Sequence, residues 1–110
     1  MAQIRTDRLP GTLDLLVLRV LQRGAMHGWA IAQRLEEVSC DVLTVGQGSL
    51  YPALYRLEDT GFLVAEWGQT DAGRRARFYK LTKLGRAQLA RERASWDQYI
   101  AAVGRVLELA

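Results

Sequence analysis

The chain has 110 residues, 49% of them hydrophobic and 25% charged, with a formal net charge of +3. That is the make-up of one folded domain, neither disordered nor large enough for two. One cysteine, Cys40, and one histidine, His27, exclude an internal disulfide and leave too few soft ligands for a zinc or iron centre within one chain, so no metal or cofactor is expected.

In chain order, Pro10-Gly11-Thr12 reads as a breaker followed by a cap. Thr12 is placed to accept from first-turn N–H groups, and Asp14 suits the positive end of a helix dipole. Leu13, Leu16, Val17, Val20 and Leu21 follow at helical spacing, which predicts an amphipathic helix over 13–23 closed near Gly24. The longest apolar run here, Leu15 to Leu18, is far too short for a bilayer. No apolar leader follows Met1-Ala2-Gln3-Ile4-Arg5, so the expected location is cytoplasmic, with no membrane partner.

Met26 to Ser39 repeats the pattern, with Trp29, Ile31, Ala32 and Leu35 as apolar faces, Arg34, Glu36 and Glu37 outside, and His27-Gly28 opening the helix. Cys40 to Gly46 is irregular, a brief strand or an extended turn. Gln47-Gly48-Ser49 starts a third helix, with Ser49 as N-cap and Pro52 in the first turn, where its missing N–H costs nothing. Leu50, Leu54 and Leu57 form one buried stripe, and Gly61 stops the helix. Three short helices in about fifty residues are the helix-turn-helix plan.

After Gly61 the period changes. Residues 62–67 and 77–81 are β-prone and bracket a polar tip, Gln69 to Arg74, which predicts a hairpin. Thr82 then caps a last helix over 83–109, about 40 Å long at 1.5 Å per residue. Leu89, Trp96, Ile100, Val103 and Leu107 fall on an approximate heptad stripe that Tyr99 and Val106 widen. Such a stripe is longer than the preceding domain can cover and is expected to meet its copy in a homodimer. The predicted class is mainly α with a small β-hairpin: a winged helix-turn-helix over residues 1–82 and a C-terminal dimerisation helix over 83–110.

Charge points to the partner. Residues 1–73 balance to −3, whereas 74–93 carry eight basic side chains and one acidic, a balance of +7. That concentration is the footprint of a polyanion binder, here double-stranded DNA; a solvated, basic helix face is its other reading. The third helix turns Gln47, Ser49, Tyr51, Pro52, Tyr55 and Arg56 away from the core, and Gln, Ser and Arg can read base edges or hold phosphates. Tyr51 and Tyr55 are open to a second reading as half-buried packing. On the wing, Arg74, Arg75 and Arg77 are the electrostatic candidates. A surface ion pair with Asp71 or Glu66 is their other use; at least one is expected to pair this way and at least one to reach DNA. His27 serves a phosphate at a helix N-terminus or simply caps that helix. Cys40 reads as a small packed residue.

Four segments resemble the PadR-type transcriptional regulators: Gly11-Thr12-Leu13-Asp14-Leu15-Leu16, His27-Gly28-Trp29-Ala30-Ile31, Gly48-Ser49-Leu50-Tyr51-Pro52-Ala53-Leu54, and Arg74-Arg75-Ala76-Arg77-Phe78-Tyr79-Lys80-Leu81-Thr82. They occur in the right order over nearly the whole chain. One departure is Trp29, where Tyr is more usual. The resemblance implies homodimers on inverted-repeat operators, usually as repressors, many of them answering small aromatic or amphipathic compounds. It also implies that a Trp on the last helix lines an inter-subunit ligand pocket in some members; Trp96 has a comparable place, and an ordinary interface anchor is the other reading of it. A different class, a winged-helix protein-interaction module gripping an acidic partner with its wing, would lack operator preference. One His, one Cys and no phosphate loop leave no catalytic constellation, so an enzyme is not expected.

Overall fold

A computed structural model describes residues 3–8 and 11–109. The breaker expected at Pro10 lies outside the described residues, as does Leu9. Strand β1 (Ile4–Arg5) and a 3-10 turn (Thr6–Arg8) precede helix α1 (Thr12–Val20). The cap of α1 is Gly11, not Thr12: Gly11 sits at φ 84° with no side-chain cap, and Thr12 is the first helical residue. A left-handed turn here is glycine's conformation, and it moves the hydroxyl inside the helix. The α-helical stretch ends at Val20 and tightens into a 3-10 turn, Leu21–Arg23, that still buries Leu21.

Met26 does not belong to the second helix. Met26–His27 is a strand, β2, and α2 runs Gly28–Val38. Cys40, exposed and not packed as expected, and Asp41, at φ 55° and 62°, turn the chain out of α2. Strand β3 (Leu43–Thr44) then pairs in parallel with β1, so the irregular stretch contains a brief strand. Helix α3 (Gln47–Asp59) starts from Gly46, three residues earlier than a Ser49 cap would allow. Ser49 is therefore its third residue and Pro52 its sixth, where the proline ring removes the bond that would reach the Gly48 carbonyl. Gly61, at φ 86°, ends α3 as expected, with the Phe62 N–H donating to the Leu57 carbonyl at 3.0 Å.

The hairpin is β4 (Leu63–Gln69) and β5 (Arg75–Leu81), in register from Leu63↔Leu81 to Gln69↔Arg75. It is longer than residue preference alone marks, because Gly68 and Ala76 pair within it. Strand β2 adds to the free side of β5 through Met26↔Tyr79 and His27↔Phe78, giving a three-stranded sheet in the order β2-β5-β4.

Helix α4 (Lys83–Leu107) is capped by Thr82, whose hydroxyl oxygen accepts from the Gly85 N–H at 3.0 Å and donates to the Gly61 carbonyl at 2.6 Å. A Cβ at Gly85 would collide with the Phe62 carbonyl oxygen, so only glycine lets α4 start against the α3–β4 corner. One core joins the four helices and the hairpin: Leu13, Val17 and Leu18 of α1, Ile31 and Leu35 of α2, Leu50, Leu54 and Leu57 of α3, Leu63, Tyr79 and Leu81 of the sheet, and Leu89 of α4. Leu89 is 5% exposed. That corrects its place in the dimer stripe: its surface is already spent inside its own domain.

Candidate nucleic-acid interface

The buried Leu50, Leu54 and Leu57 stripe fixes the rotation of α3 and turns Tyr51 and Tyr55 toward the wing. Between α3, the start of α2 and the wing lies an open groove of about 940 Å³. His27, Trp29 and Gln33 form one side of it, Tyr51 and Tyr55 come from α3, and Trp67, Arg74, Arg75 and Arg77 come from the wing. A cleft of about 160 Å³ between the starts of α2 and α3 adjoins it, and Gln47 lines that cleft. Ser49, Pro52 and Arg56 line neither.

Each predicted residue has a definite setting. The His27 Nδ1 accepts from the Ala30 N–H at 3.4 Å, a cap for α2. Its ring meets Phe78 edge-on and lies parallel to Trp29, with centroids 6.4 Å apart and planes 7° apart. Tyr51 is half-buried over Gly28, where a Cβ would come within 2.8 Å of the phenol ring. Tyr55 is exposed and its ring centroid stands 6.4 Å from that of Tyr51. Gln47 is exposed and Ser49 half-buried.

The arginines divide into two classes. Arg56 donates to Asp14 on α1 at 2.7 Å. Arg77 donates to both carboxylate oxygens of Glu58 at 3.0 and 2.8 Å. The expected partners of the wing arginines, Asp71 and Glu66, are therefore replaced by a residue of α3. The Glu58 carboxylate raises the Arg77 pKa further. Arg75 instead lies 4.6 Å over the Trp67 ring, leaving its charge in solvent. Arg74, at the exposed tip, has no partner for its guanidinium among the described residues; its backbone N–H donates to the Thr70 hydroxyl at 3.2 Å.

Sequence reasoning assigned Trp29 to an apolar helix face, yet it is 57% exposed, and Trp67 is 61% exposed. Both line the groove. Their signal in the sequence was faint: a Trp at the second position of a helix, and a Trp on an alternating strand.

A third hollow, of about 400 Å³, lies where α4 passes α1, lined by Gly11, Thr12, Leu15, Glu92, Ser95, Trp96 and Tyr99. Trp96 and Tyr99 have ring centroids 6.5 Å apart. One Glu92 carboxylate oxygen is buried there without a hydrogen-bond partner among the described residues. Burial, and then the charge of Asp14, push the Glu92 pKa above its ordinary 4.5, against a hydrogen bond from Gln88 and the charge of Arg91. Farther along α4, Tyr99, Ile100, Val106 and Leu107 are exposed and Val103 is half-buried. Among the described residues no cluster of His, Cys, Asp or Glu could hold a metal, and no helix is long and apolar enough to cross a membrane.

The profile of the Transcriptional regulator PadR-like family matches residues 17–91. A transcriptional regulator of Mycobacterium tuberculosis is 38% identical over 84 residues, covering 74% of this chain and 75% of that one. The crystal structure of a PadR family transcriptional regulator from Eggerthella lenta superposes with a TM-score of 0.78 at 31% identity, over 91% of this chain and 85% of the other. A transcriptional regulator from Clostridium thermocellum shares the fold at a TM-score of 0.81 and 21% identity, over 90% and 96% of the two chains.

Proposed function

The chain belongs to the PadR-like family of transcriptional regulators, and on that premise we propose that it is a cytoplasmic, homodimeric repressor that binds an inverted-repeat operator. The observation that carries the reading is the groove between α3 and the wing, which has two arginines, Arg74 and Arg75, whose charges no acid among the described residues neutralises. The N-terminal half of α3 enters the major groove, with Gln47, Ser49, Tyr51, Pro52 and Tyr55 near bases and backbone. Arg74 and Arg75 hold flanking phosphates. Arg56 and Arg77 contribute by fixing α3 to α1 and to the wing. His27 sets the start of α2 beside the same groove.

Two copies pair through α4 beyond Leu89, using Trp96, Tyr99, Ile100, Val103, Val106 and Leu107. Pairing sets the two α3 helices about 34–36 Å apart, one turn of DNA. A small aromatic effector in the hollow at Trp96 and Tyr99 shifts that separation, provided it binds the two arrangements unequally.

The test is fluorescence anisotropy on the DNA upstream of the protein's own gene and on a scrambled duplex, at two salt concentrations. Tight, salt-sensitive binding with a large preference for the upstream DNA is expected. Equal, weak binding to both, and to other candidate operators, would instead favour a protein-interaction module with an acidic partner.

A further inference from the structure

The groove is electrically lopsided. The wing side carries Arg74 and Arg75, while the α2 side consists of His27, Gly28, Trp29, Ala30 and Gln33 and has no fixed cation. The nearest α2 arginine, Arg34, donates to Glu37 at 3.1 Å and lines neither hollow. A duplex backbone seated in this groove would meet charge on one wall and neutral donors on the other.

We infer that Trp29 is a neutral backbone clamp: its indole N–H donates to a DNA phosphate on the α2 side of the groove. The inference rests on the DNA-binding reading above and extends it to a residue that charge alone does not select. Three features support it. Trp29 is more than half exposed and lines both the groove and the adjoining cleft, so it stands at the rim between them. Its N–H has no hydrogen-bond partner among the described residues. Indole nitrogen only donates and a phosphate oxygen only accepts, so the two are matched without competition from the opposite polarity. Finally, the ring is braced before any ligand arrives. It lies parallel to His27, which is held by the Ala30 N–H and by the edge of Phe78. A braced donor loses little side-chain freedom on binding.

A neutral donor gives this contact a signature of its own. It adds affinity but displaces no counterion, so it leaves the salt dependence alone; each arginine–phosphate contact steepens that dependence by about 0.9 in log–log slope. Since phosphates carry no sequence, the loss should also be the same on operator and on random duplex.

The experiment measures anisotropy titrations of the full-length protein and its W29F, W29Y and R74A variants, on operator and scrambled duplex, across a salt series. W29F keeps an aromatic ring without a donor and should weaken binding to both duplexes by about tenfold, with the wild-type slope. W29Y restores a donor and should recover most of the affinity. R74A should weaken binding and also flatten the slope. W29F binding as tightly as wild type, a changed slope in W29F, or a loss confined to the operator would each overturn the inference while leaving DNA binding intact. Absence of salt-sensitive binding by the wild-type protein to any duplex would remove both readings together.

Discussion

Arg77 on the wing grips Glu58 on α3 with two hydrogen bonds, 3.0 and 2.8 Å long. The pair ties the sheet to the helix proposed to read DNA, and its planar, two-pronged geometry fixes angle as well as distance. The residue with the appearance of a phosphate contact is thus a brace between the two parts of the groove. Glu58→Gln and Arg77→Gln should each lower the melting temperature, and the double variant should melt close to the singles, since either change alone breaks the pair. Thermal unfolding followed by circular dichroism checks this, and added salt should narrow the gap to wild type.

The two free wing arginines should behave differently. Arg74→Ala and Arg75→Ala should each reduce the log–log salt slope of DNA binding by about 0.9 without lowering the melting temperature appreciably. A salt series by anisotropy measures this. An unchanged slope in both variants would move the phosphate contacts away from the wing tip.

Glycine 28 is the seat of Tyr51, so Gly28→Ala should push the phenol ring off α2. The expected effect falls on binding, a several-fold loss of operator affinity, with a smaller cost to folding than Gly85→Ala. The latter drives a methyl group into the Phe62 carbonyl at the root of α4, a backbone atom that cannot step aside as a side chain can. It should cost about 1–3 kcal/mol. Urea unfolding and operator titration of both variants separate the two effects.

Glu92 gives stability a pH dependence of definite sign. Its pKa is raised in the folded protein, so the folded state holds more protons than the unfolded state at pH values between the ordinary 4.5 and the raised value. Its contribution to stability therefore falls as pH rises through that window. Glu92→Gln should remove this slope and make the protein more stable than wild type above the window. Urea unfolding across pH 4 to 8 provides the check, and a parallel pair of curves would show that the carboxylate is better solvated than its burial implies.

Leu89 and Ile100 share a helix but not a role. Leu89→Ala should destabilise the fold by about 2–5 kcal/mol, the usual cost of truncating a buried leucine. Ile100→Asp should leave the domain folded and change the mass measured by sedimentation from dimer to monomer. A dimer that survives Ile100→Asp and Tyr99→Asp together would place pairing elsewhere.

What could be read in the sequence was whatever depends on neighbours along the chain. The Leu50, Leu54 and Leu57 stripe, the Thr82 cap and the Gly61 stop are local, and the structure bears them out. The exceptions at the helix starts have a local cause as well. Gly11, left-handed, and Gly46, extended, take the cap positions before Thr12 and Ser49 can, because glycine suffices there without a side-chain hydrogen bond. What could not be read depends on distant pairs. Met26 has a helical neighbourhood, and only Tyr79, far along the chain, makes it a strand. Arg77 was expected to find an acid nearby on the wing, and found Glu58 nineteen positions away. Leu89 fits a heptad with Trp96 by spacing, but the first two turns of α4 are claimed by the core. Trp29 is apolar by composition, yet the start of α2 faces the groove.

The glycine contact at the root of α4 has a mechanical meaning. With no room at Gly85 even for a methyl group, the helix and the headpiece meet at a welded joint, not at a hinge. The eighteen residues of α4 from Ala90 to Leu107 then form a stiff lever of about 27 Å. In the proposed dimer, a turn of about 10° where two such levers cross would sweep each N-terminal domain through about 5 Å at that radius, comparable to the rise of one helical turn. Angle at one end becomes displacement at the other, with no slack at the joint to absorb it.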